Sequence, residues 1–82
     1  MPDKTHLIEW LAQALHAHGG RATIVDACKH VWQHHEADLR RSGDLFFTWQ
    51  YDIRWAAHAL RKQGRMKADD VSPKGVWKLT RL

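Results

Sequence analysis

The sequence has few of the residues that would place it among secreted, disulfide-linked or membrane proteins. Cys28 is its one cysteine among 82 residues, which excludes an internal disulfide and leads us to expect a reducing, cytoplasmic location. No run of about 18 consecutive apolar residues occurs, so no membrane-spanning helix is predicted. The opening residues, MPDKTHLIEW, lack the basic and then apolar layout of a signal peptide.

Acidic residues are scarce in the second half of the chain. Residues 40–82 carry ten Lys or Arg against four Asp, whereas residues 1–39 carry three Lys or Arg against five Asp or Glu. The formal net charge of +4 is therefore divided into +6 and −2. This asymmetry favours a polyanionic partner, and we expect double-stranded DNA. An ordinary solvated basic face is the alternative.

Length and composition predict one small domain. The chain is 44% hydrophobic and 27% charged, without repeats, so residues 1–82 are expected to form a single domain. A core of this size supplies about 3–5 kcal/mol of net stability. Most large apolar side chains should therefore be buried in it.

Apolar residues at spacings of three and four predict the first two helices. The first covers residues 4–18 and is ended by Gly19-Gly20. After a short extended piece at residues 22–23, Thr23 or Asp26 is expected to cap the second helix. The helical pattern breaks from Glu36 onward.

The third helix is predicted over residues 48–63, after turn chemistry at Ser42-Gly43-Asp44. Thr48 is its expected cap. The side chains on its predicted buried stripe are Trp49, Ile53, Ala56, Ala57 and Leu60.

After Gly64 the spacing of the apolar residues changes from helical to alternating, and this predicts a β-hairpin over residues 65–80. Met66, Trp77 and Leu79 are expected to point inward. Three helices, an early strand and a terminal hairpin predict a mainly α fold with a small β-hairpin, of the α+β class. Their order is that of a winged helix-turn-helix.

The residue pattern also resembles a known family. The matching residues are Trp49, Arg54, Trp55, Ala56, Leu60, Lys62, Gly64, Gly75, Val76, Trp77, Leu79 and Thr80. Together with the earlier segment HGGRATIVDACKHVW, they make residues 6–81 resemble the N-terminal winged-helix domain of the Mrr-type restriction endonucleases. The resemblance implies a DNA-recognition module of a restriction system, in several related systems one for methylated DNA. It also implies a nuclease domain or partner protein.

The outward face of the third helix is the predicted DNA-reading surface. A helix-turn-helix lays this helix in the major groove, where it would present Gln50, Tyr51, Arg54, His58 and Arg61. Gln50 can pair with adenine, and Arg54 with guanine or a phosphate. Tyr51 can contact the methyl group of thymine or a methyl group added to a base.

Contacts with the DNA backbone are predicted on both sides of that helix. Lys74 at the hairpin tip, with the lysines of its strands, is expected to reach phosphate or the minor groove. Arg40 and Arg41 are expected to clamp the backbone on the other side, and Thr48 to orient the helix N-terminus toward a phosphate. For each residue taken singly, a solvated surface is the alternative.

A protein–protein or homodimer interface is the competing function. Trp10 and Trp32 lie beside apolar stripes, and if exposed they would serve with Tyr51 as its anchors. Trp55 is instead expected to face inward, partly buried against the hairpin.

Signatures of catalysis and of metal binding are lacking. His30 and His34 lie four residues apart, but no Cys-x-x-Cys pair accompanies the seven histidines. Cys28 falls on the predicted buried stripe of the second helix, which favours a packing role. We therefore expect a protein that is not an enzyme and that holds no cofactor or metal.

Overall fold

The computed structural model describes residues 3–67 and 75–80. The elements within these ranges are α1 (His6–Ala17), β1 (Arg21–Thr23), α2 (Ile24–Arg40), α3 (Leu45–Lys62) and β2 (Val76–Lys78). The described part is thus mainly helical with a two-stranded antiparallel sheet, which agrees with the predicted α+β class. None of its helices combines the length and apolarity that a membrane crossing requires.

Helix α1 ends at the predicted pair of glycines. Gly19 and Gly20 have φ angles of 78° and 98°, and the Gly20 N–H donates to the Leu15 carbonyl oxygen at 2.8 Å. This closes the helix in a conformation that glycine adopts without strain. The residues that α1 buries are Leu7, Trp10, Leu11, Ala12, Ala14 and Leu15.

Trp10 does not meet the condition of exposure that was set for its role as an interface anchor. Its side chain is only 8% exposed, and the His35 ring of α2 stacks on it with centroids 4.2 Å apart. Burial of an indole adds much apolar area to a small core. Trp10 therefore cannot anchor a partner protein.

Helix α2 has the predicted cap but extends further than predicted. The Thr23 hydroxyl oxygen accepts a hydrogen bond from the Asp26 N–H at 3.1 Å, as an N-cap does. The helix continues to Arg40, past the break expected at Glu36. A kink at His35, with φ −130° and ψ 18°, is what interrupts the pattern. One turn further, Arg40 pairs with Glu36 at 2.8 Å.

Helix α3 begins at Leu45, three residues before the predicted start. Leu45 is buried in the core, and its burial extends the helix toward the N-terminus. Thr48 consequently lies inside the helix and donates from Oγ1 to Asp52 Oδ2 at 2.7 Å. The prediction that Thr48 caps this helix is wrong, because the cap position is Asp44.

The predicted buried stripe of α3 is confirmed, and the structure adds Leu45 to it. The buried residues of the helix are Leu45, Trp49, Ile53, Ala56, Ala57 and Leu60. The helix packs mainly on α1, and α2 lies against both. The stripe thereby fixes which side of α3 is left for solvent.

The sheet joins the segment that follows α1 to the segments that follow α3. Strand β1 pairs antiparallel with β2, with Ala22 opposite Trp77, and Met66 forms a further antiparallel bridge with Leu79. Met66 and Trp77 are buried as predicted, and Leu79 is half-buried. The predicted hairpin thus pairs through its base, while its tip, including Lys74, lies outside the described residues.

A bidentate ion pair connects α1 to the segment that follows α3. The Arg65 guanidinium donates to both carboxylate oxygens of Glu9, at 2.6 and 3.2 Å. The hydrogen bond from Arg65 holds the pKa of the Glu9 carboxyl below its ordinary value. This pair links the base of the extended segments to the first helix.

Candidate nucleic-acid interface

The outward face of α3 is a stripe of exposed side chains four and three residues apart. Phe47 is 82% exposed and Tyr51 is 78% exposed, and Arg54 and His58 continue the line. Residues at these spacings lie one above another on a helix. The stripe joins an aromatic N-terminal part to a basic C-terminal part.

Two more predicted DNA-contacting residues flank this stripe. Gln50 is exposed on the side that faces α2. Arg61 is half-buried, and its Nε donates to the Lys67 carbonyl oxygen at 3.1 Å. The structure therefore places Gln50, Tyr51, Arg54 and His58 together on one accessible face, with Arg61 bound at its edge.

Phe47 is the residue of this face that the sequence reasoning missed. Its position four residues before Tyr51 was the available signal, because i and i+4 share a helix face. The predicted start at residue 48 excluded it from the helix. The exposed face is consequently one turn longer and more apolar than expected.

A groove of about 560 Å³ separates α2 from α3 beside this face. The residues that line it are Ile24, Val25, Cys28, Lys29, Trp32, Phe46, Trp49 and Gln50. On its aromatic side, the Trp32 and Trp49 rings stack with centroids 6.1 Å apart. The groove is apolar within, and Lys29 and Gln50 supply its polar groups.

Cys28 lies in this groove and is half-buried. Burial raises the pKa of its thiol, and the nearby Arg54 guanidinium opposes that rise only in part. A thiol with a raised pKa is a poor nucleophile. These surroundings suit the packing role expected for Cys28.

Arg40 and Arg41 lie at the end of α2 and both pair with carboxylates. Arg40 pairs with Glu36 at 2.8 Å, and Arg41 pairs with Asp38 at 2.9 Å. Arg40 also lies over the Trp32 ring, 5.4 Å from its centroid. Exposed pairs of this kind are worth about 0–1 kcal/mol, so a phosphate can compete for these guanidinium groups.

Trp55 does not face inward as expected. It is 36% exposed, and its ring carries the Lys4 ammonium 4.6 Å from the centroid. Lys4 belongs to the segment before α1, whereas a position against the hairpin was expected. A cation over an indole face is a favourable contact, and it covers part of the ring.

The histidines of α2 form a ring stack with the end of α1. The His30 and His34 rings lie parallel with centroids 4.0 Å apart, and the His18 ring meets His30 edge-on at 5.9 Å. Within residues 3–67 and 75–80, no three metal-ligating side chains come together in a way that could hold an ion. The geometry is that of packed rings.

Stability is expected to fall as the pH drops below the ordinary histidine pKa. Burial lowers the pKa of His30, and the nearby His34, His18 and His35 lower it further. The pKa of His35 is also lowered, chiefly by burial, against the opposing effect of Asp38. The unfolded chain therefore takes up protons near pH 6.5 that the folded chain binds only at lower pH. This contribution is complete above that pH and is lost as the pH falls through the folded pKa values.

Urea unfolding at about pH 7 and at about pH 5.5 measures this loss. His30→Gln is expected to reduce the difference between the two free energies of unfolding. An unchanged difference would contradict the role given to His30. The pKa of the Glu9 carboxyl is also lowered, but its effect on stability falls in the more acidic range below the ordinary value of 4.5. It therefore does not affect the comparison between these two pH values.

The predicted site residues thus divide by location. The α3 face gathers four of them, and Arg40 and Arg41 are paired at the end of α2. Thr48 points along its own helix, and Lys74 lies outside the described residues. Comparison with protein-family models, curated proteins and solved structures gives no match for this chain.

Proposed function

We propose that this chain is a DNA-binding module of the winged-helix type, with α3 in the major groove. The observation that carries the proposal is the outward face of α3, where Gln50, Tyr51, Arg54 and His58 are accessible together. Amide and guanidinium groups on an exposed helix suit base edges and phosphates. The excess of basic residues after position 39 supports the same partner.

The element order supports the winged-helix assignment. Helix α3 follows α2 after a short turn, and extended segments after α3 pair back toward β1. In this arrangement, the segments around residues 65–80 would lie on the backbone that flanks the groove. Lys74 at the tip of the hairpin keeps its proposed role as a phosphate contact, as do Arg40 and Arg41.

Recognition of methylated bases is the finer form of this proposal. Phe47 and Tyr51 present two exposed aromatic side chains one turn apart, next to Arg54. A methyl group on a base offers an apolar surface to such side chains, while guanidinium pairs with the base edge. The resemblance to the Mrr-type domains supports this form, and with it a nuclease domain or partner protein that acts on the recognised DNA.

Fluorescence anisotropy tests the proposal. Labelled duplexes, unmodified and carrying methylated cytosine or methylated adenine, are titrated with the protein across a series of salt concentrations. Each phosphate contact is expected to add about 0.9 to the slope of log affinity against log salt. A preference for one methylated duplex supports base reading, and absence of binding at low salt contradicts the function.

A homodimer or protein–protein interface is the second candidate. The observation that favours it is a set of exposed apolar side chains beside the α2–α3 groove, with Val25 61% exposed and Phe47 and Tyr51 still more exposed. Apolar side chains that are exposed as a group mark contact surfaces. Sedimentation in the absence of DNA distinguishes the two functions. A size that increases with protein concentration, without DNA binding, favours the second.

A further inference from the structure

The outer face of the sheet places three basic residues side by side. Arg21 of β1 lies opposite Lys78 of β2 in the antiparallel register. On the other edge of β2, Met66 bridges Leu79, and the Lys67 N–H donates to the Lys78 carbonyl oxygen at 2.9 Å. Lys67 is therefore opposite Lys78 as well. We call Arg21, Lys78 and Lys67 the cation row.

All three side chains of the cation row project away from the core. Ala22, Trp77 and Met66, which alternate with them along the three segments, are buried. Successive residues of an extended segment point to opposite faces of a sheet. Arg21 and Lys67 are accordingly exposed and Lys78 is half-buried.

The cation row has no anionic partner within residues 3–67 and 75–80. Arg40, Arg41 and Arg65 each pair with a carboxylate there, but within these ranges the charged groups of Arg21, Lys78 and Lys67 make no ion pair and no hydrogen bond. Like charges directly opposite each other on neighbouring strands repel and destabilise the pairing. No charge in the described part of the chain offsets this repulsion, and a bound anion would relieve it.

The spacing of the row selects an extended anion. Neighbouring strands lie about 4.8 Å apart, so the two outer members are separated by about 10 Å at the backbone. One small anion can neutralise two adjacent members, whereas a chain of phosphates can contact all three. The face is open, and ammonium and guanidinium groups both bind phosphate oxygens.

We propose that the cation row is a binding site for consecutive phosphates of a nucleic-acid backbone. In identifying the phosphates as those of DNA, this inference rests on the proposed function. Arg61 of α3 bonds to the Lys67 carbonyl oxygen, so the row adjoins the C-terminal end of the α3 face. Arg21 is the new member of the interface, and it comes from the half of the chain with a net negative charge.

The first test measures the repulsion itself and needs no DNA. Arg21→Gln is expected to raise the melting temperature by about 1–6 °C at low ionic strength. The increase should disappear in about 1 M salt, where charges are screened over about 3 Å. Lys29→Gln is the matched control, because Lys29 is exposed on α2 outside the row, and no such increase is expected. An equal melting temperature for wild type and Arg21→Gln at low salt would contradict the repulsion within the row and overturn the proposal.

The second test measures the slope of DNA affinity against salt. The double variant Arg21→Gln, Lys78→Gln is expected to bind every duplex more weakly and to reduce the slope by about 1.8. Lys4→Gln is the control for this test, because Lys4 is exposed in the segment before α1, outside both the row and the α2–α3 groove, and it is expected to preserve the wild-type slope. If wild type binds duplexes and the double variant has the same slope as wild type, the inference fails and the proposed function stands.

The third test compares the effects of inorganic polyphosphate and of phosphate on the melting temperature at equal ionic strength. Polyphosphate is expected to raise the melting temperature of wild type more than phosphate does, and the double variant should lose this difference. If wild type binds no duplex but keeps this response, the proposed function fails and the row is a site for another phosphate chain. If polyphosphate has no effect beyond that of phosphate, the extended-anion site is wrong.

Discussion

Trp77→Ala is expected to leave about half of the protein molecules unfolded at room temperature. Trp77 is 5% exposed, and its partner across the sheet is the small, buried Ala22. Truncation of a buried tryptophan costs about 3–5 kcal/mol, which equals the net stability of about 3–5 kcal/mol that a core of this size supplies. Far-UV circular dichroism and urea titration measure the loss.

Trp55→Ala is the matched control for this substitution. It removes the same side chain from a position that is 36% exposed, so the loss of stability should be clearly smaller than for the buried Trp77. Trp77→Phe should recover much of the stability, because it keeps an aromatic ring in the core. If the two alanine variants are equally stable, β2 does not contribute to the core as described.

Arg54→Ala is expected to weaken binding to the preferred duplex by about 1–3 kcal/mol, or roughly 5- to 150-fold. Arg54 is exposed on the α3 face, and no carboxylate in the described part of the chain pairs with it. Its guanidinium is thus available to pair with a base in two hydrogen bonds. Anisotropy with the preferred duplex and with variants of it measures the loss.

The pattern of loss across sequences distinguishes base reading from phosphate contact. Arg54→Ala should cost most on the preferred duplex and reduce the discrimination among sequences. Lys74→Ala, at a proposed phosphate contact, should weaken all sequences alike. An equal loss on every duplex for Arg54→Ala would contradict its base-reading role.

The sequence predicted best those features that depend on neighbours along the chain. The buried stripe of α3 follows from helical periodicity, and the Thr23 cap and the Gly19-Gly20 stop follow from local backbone chemistry. Errors arose where the core overrode local signals. Burial of Leu45 extended α3 toward its N-terminus, moved Thr48 away from the cap and brought Phe47 onto the exposed face.

The candidate site divides in the same way. Periodicity alone placed Gln50, Tyr51, Arg54 and His58 on one side of a helix, because an exposed face is the complement of a buried stripe. It could not place Trp10, whose burial depends on a ring from α2. The apolar pattern of one helix does not show which side chains of a neighbouring helix pack against it.

Composition and helical periodicity predict the uneven charge, the presence of three helices and most of their buried faces. The alignment of Arg21, from the acidic half, with Lys78 and Lys67 is visible in the tertiary structure alone. That alignment depends on strand register, and a shift of one residue would turn these side chains into the core. Register between distant segments is set by the burial of Ala22 and Trp77 together, which no local pattern encodes.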